Sequence, residues 1–532
     1  MRPDRKLLLA HALAALEGPA PEAARAPCAA LLAARADDAE ALLVLGLAEG
    51  LCGRADDAAR LLDRVARARP GHAHPVADLA ALLAARGRAS EIAGQYRAVL
   101  RRDPGNDALR RALARHLLEG GDPTAALGTL GRGDRSAAAC HLAGLAEAEL
   151  GHVPRAIARF RAAVTRDPEP AIGWSNLGMM LKIAGRHTEA IAAHDEAVAR
   201  APEDAQLRVN RAVAKLHAGR WAEAWGEYEW RLHLPGHAGL PQARLMPALA
   251  EAGDLSGRHI LLIHEEGFGD TLHFVRYATL LIARGAAVTM ALPAPLRRLL
   301  APIAPMLTPA LAPDAALPEH DWHCPFFSLP RVFATTPETV PAPIPYLRPD
   351  PALAAAWAAR LGPRDERLRV GLVWAGQARP WLAGFTTLDA RRSAGLAAFA
   401  PVGQIAGLRL IALQAGPPRA DPRPPGLMLE DPMGAVADFA DTAAILAALD
   451  AVVSVDTSVV HLAGAMGVPV LMLDRLDHCW RWLPGRADSP WYPTMRIFRQ
   501  TRLGDWTEPM RGVAAALADM AGAAGRSAAA PG

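Results

Sequence analysis

The sequence predicts a helical repeat solenoid followed by two α/β lobes, each built on a parallel sheet. Three observations predict it. Turn glycines Gly53, Gly87, Gly121, Gly151, Gly185 and Gly219 are spaced 34, 34, 30, 34 and 34 residues apart. From about residue 258, short apolar runs rich in β-branched residues alternate with helical patterns, the signature of parallel strands with crossover helices. The stretch Asp450–Val470 reads as strand, turn and helix, leading into a further strand over 470–473.

Bulk properties bound the rest. A chain of 532 residues holds three to four domains at roughly 150 residues each. The net charge of +3 gives no general case for nucleic acid. Lysine occurs only at Lys6, Lys182 and Lys215, so chemistry placed in the second half must do without a lysine from that half. The cysteines Cys28, Cys52, Cys140, Cys324 and Cys479 lack paired metal spacing and read as reduced thiols, which points to a cytoplasmic protein. No apolar run reaches the roughly 18 residues of a membrane span. The basic N-terminus runs past His11 into a charged amphipathic pattern and reads as a first helix, not a signal peptide.

Residues 1–235 form the repeat array. Helix-ending prolines keep the glycine beat: Pro70 and Pro104 lie 34 apart, as do Pro168 and Pro202. The clearest unit is Trp174-Ser-Asn-Leu177-Gly178 with Leu181, Gly185, Ala190 and Pro202. It resembles the tetratricopeptide repeat, in which large and small residues alternate between two packed helices. Such units stack into a superhelix with a groove that takes peptides or protein segments. A spacer, or a surface for homo-oligomer formation, is the alternative. Trp221, Trp225, Tyr228 and Trp230 predict an aromatic closing helix that packs on the next domain.

Residues 236–257 are richer in Gly and Pro and read as a linker. The first Rossmann-like lobe spans 258–350: strand 258–264, a glycine turn and helix at 265–277, and strand 287–292. Pro341–Pro351 reads as the interlobe connection. The second lobe spans 351–520, with a strand ending in a turn over 368–376 and further strands at 408–414, 451–455 and 470–473. The tail 521–532 reads as disordered. In the organising stretch, Asp456-Thr457-Ser458 breaks the apolar run with good capping residues. It places hydroxyls and a helix N-terminus at the carboxyl edge of a sheet, where anionic ligands bind in open α/β folds. An ordinary helix cap is the plain alternative.

Three segments together resemble bacterial tetratricopeptide-repeat glycosyltransferases: Gly267-Phe-Gly269-Asp270 through Tyr277, Asp438 to Ala443, and Ser454 to Gly464. Trp480-Arg-Trp482 and Asp488-Ser-Pro-Trp491-Tyr492 fit their closing segment. That group is related to glycosyltransferase family 9, the heptosyltransferases, and shares the plan of O-linked N-acetylglucosamine transferases. The resemblance implies a GT-B fold, with a nucleotide sugar held between two Rossmann-like lobes and neither metal nor cofactor. It implies that Asp270 is the general base, taking the acceptor hydroxyl's proton; a helix-capping role is the alternative. Gly267 and Gly269 would allow close approach or a positive φ. The resemblance further implies a donor site at Asp456, Thr457, Ser458 and His461, with Trp374 and Gly376 at a strand end, Gln414 toward the base, and Asp441 and Thr442 nearby. Asp456 would repel a diphosphate, so it reads as a hydroxyl acceptor or turn-orderer.

The loop 377–393 departs from the relatives' basic pattern, although Arg391-Arg392-Ser393 fits its end. Heptosyltransferases use a lysine near here, and Arg392 or Arg379 would have to replace it. His320-Asp-Trp-His323-Cys324 is a weak metal match and reads as an interlobe structural segment. The expectation is a sugar transferase acting on a protein acceptor held by the repeats. The rivals are a scaffold whose GT-B unit no longer turns over and a transferase for lipopolysaccharide or another glycan.

Overall fold

A computed structural model describes residues 4–69, 72–131, 133–235, 240–304, 306–311, 316–341, 343–377 and 391–529. The chain divides into two compact units, Met1–Gly173 and Trp174–Gly532.

The first unit is a run of helical hairpins, among them Ala39–Leu51 with Ala55–Ala68 and Ala137–Glu149 with Val153–Arg166. The glycine beat is a set of helix stops. Gly53 and Gly151 take φ of +79° and +75°, and the following amides bond back, Arg54 N to Glu49 O at 2.9 Å and His152 N to Glu147 O at 2.8 Å. These are six-to-one closures at a left-handed residue, which only glycine adopts without strain. The core is aliphatic and alanine-rich, with Leu62, Leu79, Leu83 and Leu113 all nearly inaccessible.

The second unit opens with two more hairpins, Trp174–Ile183 against His187–Arg200 and Ala205–His217 against Trp221–Tyr228. The second of these shares a hydrophobic core with the α/β lobes through Leu216, Trp221, Ala224 and Trp225. Trp221 stacks on Trp491 at 5.3 Å and meets Trp480 edge-on at 5.6 Å. Trp225 donates its indole N–H to Thr335 O at 2.7 Å. The repeat hairpins run to Tyr228, while the compact units divide earlier, at Gly173/Trp174, because the closing aromatics pack on the lobes.

In the first lobe, β1 (His259–Ile263), β2 (Ala287–Leu292), β3 (Met306–Pro309) and β4 (Trp322–Pro325) form a parallel sheet in the order β3-β2-β1-β4. In the second, β5 (Leu368–Val373), β6 (Leu408–Ala412), β7 (Leu429–Glu430), β8 (Ala451–Val455), β9 (Val470–Asp474) and β10 (Met495–Arg499) form a parallel sheet in the order β10-β9-β8-β5-β6-β7. Every residue of β8 and β9 is buried. Helices cover both faces, which is why these strands are continuously apolar instead of alternating. The helix Thr507–Ala529 packs on β9 and β10.

Three expectations are corrected here. The segment 236–257 is no free linker where it is described. Met246 is fully buried and its amide bonds His323 O at 2.9 Å, because the segment lies along β4. The His320–Cys324 stretch is structural, but within the first lobe instead of between lobes. β4 pairs with β1, and His320 Nε2 lies 3.1 Å from His323 Nδ1. The tail is helical as far as Ala529. Among the described residues no helix is long and apolar enough to cross a membrane.

Candidate functional site

A cavity of about 760 Å³ opens between the two lobes. It is lined from the first lobe by Gly267, Gly269 and Asp270, and from the second by Gly376, Arg392, Gln414, Thr442, Asp456, Thr457, Ser458 and His461. The two corners singled out in the sequence therefore face one shared hollow.

The first corner follows β1. Glu266 takes φ of +60° and the helix Phe268–Phe274 begins immediately after Gly267. Neither glycine needs a positive φ, contrary to one expectation; Gly267 is extended at φ −98°. Gly269 is there for contact. A Cβ on it would lie 2.8 Å from the His461 ring and 3.2 Å from Ser458 Cα. The helices Phe268–Phe274 and Ser458–Met466 thus touch across the lobe boundary through a residue with no side chain.

Asp270 combines both roles considered for it. Its Oδ2 accepts from the Gly267 amide at 3.0 Å, capping the helix. Its Oδ1 accepts from the Arg481 guanidinium. The side chain keeps 21% of its surface open. Burial raises its pKa above the usual carboxylate range, against the opposing pull of Arg481 and the Gly267 amide. Each carboxylate oxygen has a second lone pair, so a hydroxyl can still donate to it.

The second corner follows β8. Thr457 precedes the helix Ser458–Met466, and no side chain caps that helix. Its first amides stay available to an anion. Thr457 Oγ1 lies 3.2 Å from Ser454 Oγ. Asp456 accepts the Trp482 indole N–H at 3.1 Å, so it orders the turn. His461 Nδ1 lies 3.0 Å from the Tyr492 hydroxyl, and His273 Nδ1 of the first lobe lies 2.8 Å from the same oxygen. Burial, then the nearby Arg481 and Arg276, hold His461 well below its ordinary pKa. It is a neutral imidazole at physiological pH.

Elsewhere the placements divide. Gly376 lies directly under the Arg392 guanidinium, where any Cβ would collide, and its amide bonds Ser393 Oγ at 3.2 Å. That fixes Arg391-Arg392-Ser393 against the end of β5. Arg379 and positions 378–390 lie outside the described residues. Gln414 reaches the cavity wall, but its amide is committed to backbone. Its Oε1 accepts from Trp374 N and Ala375 N at 3.0 and 2.9 Å, and its Nε2 donates to Ala375 O and Ala415 O. Two residues do not line the cavity. Trp374 is 1% exposed and donates its indole N–H to Asp421 and Pro418 O, so it fills core. Asp441 binds Arg298, the Trp357 indole and the Ala437 amide, which outweigh burial and hold its pKa low. The cap of that helix is Asp438. Thr442 lines the cavity, with its hydroxyl on Asp438 O at 3.3 Å.

Sequence reading assigned no role to Arg475, Arg481 or Tyr492. Arg475 and Arg481 line the cavity, and the Tyr492 hydroxyl bridges His461 of the cavity wall to His273 of the first lobe. Arg481 and Tyr492 lie in the stretches that resemble the relatives' closing segment. Arg481 is 6% exposed and its guanidinium lies 5.0 Å over Phe327 and 4.8 Å over Trp480. Among the described residues no group of three or more metal-ligating side chains is present.

The first unit has a separate hollow of about 480 Å³, lined mainly by apolar residues including Leu118, Leu142, Leu145, Val164 and Ile172.

Comparison with known proteins agrees with the helical half. The tetratricopeptide-repeat family model matches residues 141–201 and 184–229. Protein FlbA of Caulobacter vibrioides is 27% identical over 437 residues, covering 70% of this chain and 71% of that protein. Among solved structures, YrrB, described as a TPR protein with an unusual peptide-binding site, is 20% identical over 36% of this chain and 97% of its own, with a TM-score of 0.26. PilF of Pseudomonas aeruginosa is 16% identical over 38% of this chain and 95% of its own, with a TM-score of 0.30. The N-terminal helices of this chain include tetratricopeptide repeats, and they precede a pair of parallel-sheet lobes.

Proposed function

We propose that the protein is a metal-independent glycosyltransferase of GT-B type, moving a sugar from a nucleoside diphosphate to an acceptor hydroxyl. One observation supports this above the others. A carboxylate with a raised pKa, Asp270, and an uncapped helix N-terminus at Ser458 face the same interlobe cavity. The first suits proton removal; the second suits a diphosphate.

In this reading the acceptor oxygen attacks the anomeric carbon while its proton passes to Asp270. The bond from that carbon to the donor's phosphate oxygen breaks, and the electron pair leaves on the diphosphate. The Ser458 amides, the Ser458 and Thr457 hydroxyls, and Arg392 and Arg475 stabilise the departing charge. His461 is neutral and serves as a hydrogen-bonding wall, not a cation. The acceptor is a protein segment guided by the repeats, whose apolar hollow supplies a peptide-sized surface.

A binding module without turnover is the second reading. It is favoured by one fact: both Asp270 oxygens already have partners, in Gly267 N and Arg481. Calorimetry of the full chain against UDP-, ADP- and GDP-sugars, followed by assay of nucleoside diphosphate release, separates the two. Binding with release supports transfer. Binding without release, in the presence of cell-extract proteins as acceptors, supports the module. No binding ends the donor-site reading.

A further inference from the structure

The closing helix of the repeats runs into a buried ion network that reaches the corner after β1. Arg231 lies on the short turn Glu229–His233, directly after the helix Trp221–Tyr228, and is 3% exposed. Its guanidinium donates twice to Glu265, from Nε to Oε2 at 3.1 Å and from Nη2 to Oε1 at 2.8 Å. It also donates to Glu229 Oε1 at 2.7 Å and to Ser328 Oγ at 2.9 Å. Glu265 Oε1 accepts the Phe327 amide as well, at 2.8 Å, and its side chain is 8% exposed. Taking such charges out of water costs about as much as their pairing returns, so stability is a poor account of the network. A conformation that it fixes is a better one.

That conformation is the turn before Asp270. Glu266 takes φ of +60°, a region that a side chain resists and keeps only where its surroundings hold it. Gly267 follows and supplies the amide that bonds Asp270 Oδ2. Pairing on both sides fixes β1, and the helix Phe268–Phe274 rests on Ser458–Met466. Between strand and helix, the Glu265 carboxylate with its three N–H donors anchors the turn. A second path leaves the same guanidinium. Arg231 lies 5.7 Å over the Phe327 ring, and Arg481, which holds Asp270 Oδ1, lies 5.0 Å over that ring too. Arg231 thus stands behind both groups that grip Asp270: the Gly267 amide, through Glu265, and Arg481, through Phe327.

We propose that Arg231 is a positioning residue for Asp270: the end of the repeat array clamps the turn Glu265–Gly267 and holds the carboxylate where it meets the acceptor hydroxyl. The inference rests on the transferase reading and on Asp270 as its base. Arg231 lies outside the lining of the cavity and acts through Glu265 and Phe327. It makes the repeats part of the chemical site and not only of acceptor capture. Lysine is no substitute, because one ammonium lacks the planar fork that spans Glu265, Glu229 and Ser328 together.

The test uses the full chain, with nucleoside diphosphate release as the assay, donor affinity by calorimetry and melting temperature. Arg231→Met, Arg231→Lys, the double variant Arg231→Met with Glu265→Gln, and Lys215→Met are measured beside the wild type. Arg231→Met should lower turnover at saturating substrates about 10–100-fold and leave donor affinity within a fewfold, because the donor corner is on the other lobe. Arg231→Lys should recover only part of that turnover. The double variant leaves no buried Glu265 charge unpaired, so its melting temperature should return toward wild type while turnover stays low. Lys215→Met breaks the pair with Glu227 in the same closing hairpin, 2.9 Å apart, and should lower the melting temperature with turnover unchanged. Wild-type turnover in Arg231→Met overturns the inference and leaves the transferase reading standing. Turnover that recovers with melting temperature in the double variant, or donor affinity that falls in step with turnover, overturns it as well, since either is a general loss of structure. If Arg231→Met does not fold, Arg231→Lys decides, and full turnover there overturns the inference. A wild type that releases no nucleoside diphosphate overturns the transferase reading and this inference together.

Discussion

The corner after β1 and the corner after β8 are the same backbone unit carrying opposite chemistry. Each is a parallel strand, a short turn and a helix that starts at the cavity. In the first, an acid caps the helix and its pKa rises with burial. In the second, no side chain caps the helix, its acid is turned onto an indole, and its histidine is neutral. In the proposed reaction the first corner takes up a proton and the second accommodates an anion. The fold positions both equally, and the side chains on the first turn decide between them.

That contrast is broken most severely at Asp270. Asp270→Asn keeps the Gly267 cap and the volume but removes the base, so turnover should fall about 10²–10⁴-fold. Donor affinity should stay within a fewfold by calorimetry. Unchanged turnover would return Asp270 to a capping role alone.

Gly269→Ala attacks the contact that brings the corners together. The new methyl meets the His461 ring and the Ser458 backbone, and the latter cannot rotate away. A cost of about 1–3 kcal/mol is expected, read as a fall in melting temperature. Turnover should drop with it, because the lobes must separate to admit the methyl. A melting curve identical to wild type would mean the lobes are not held at this distance.

The smallest effect concerns Arg481. Its charge opposes the burial that raises the Asp270 pKa. Asp270 must be ionised to accept a proton, so activity is lost as pH falls through its folded-state value. Arg481→Met removes the opposing charge and should move that acid limb to higher pH. A limb that does not move would show that another group sets it.

Much of this was legible in the chain, for reasons that differ by element. The glycine beat fixed the hairpins because a helix stop of this kind requires a positive φ that other residues resist. The buried run Ala451–Val455 identified a central parallel strand because both of its faces are covered. Strand ends, however, say only that a residue lies at the cavity edge. Trp374 and Gln414 both end strands there, but one turns into core and the other is used up on backbone amides. Arg481 and Tyr492 were missed as functional residues because their partners, Asp270 and His273, lie 211 and 219 residues away. No local pattern encodes such a pairing. The division into compact units at Gly173/Trp174 is not encoded locally for a related reason: a repeat glycine marks a turn equally well in a free array and in one fused to its neighbour.

The indole cluster of Trp221, Trp225, Trp480 and Trp491 has a consequence for how such a gene can change. All four rings are carried by the second unit. The last hairpin carries two of the rings and covers the other two, Trp480 and Trp491, and a deletion reaching it would leave a sticky, aggregation-prone remnant. Length variation among descendants of this chain should therefore spare the hairpin that carries Trp221 and Trp225.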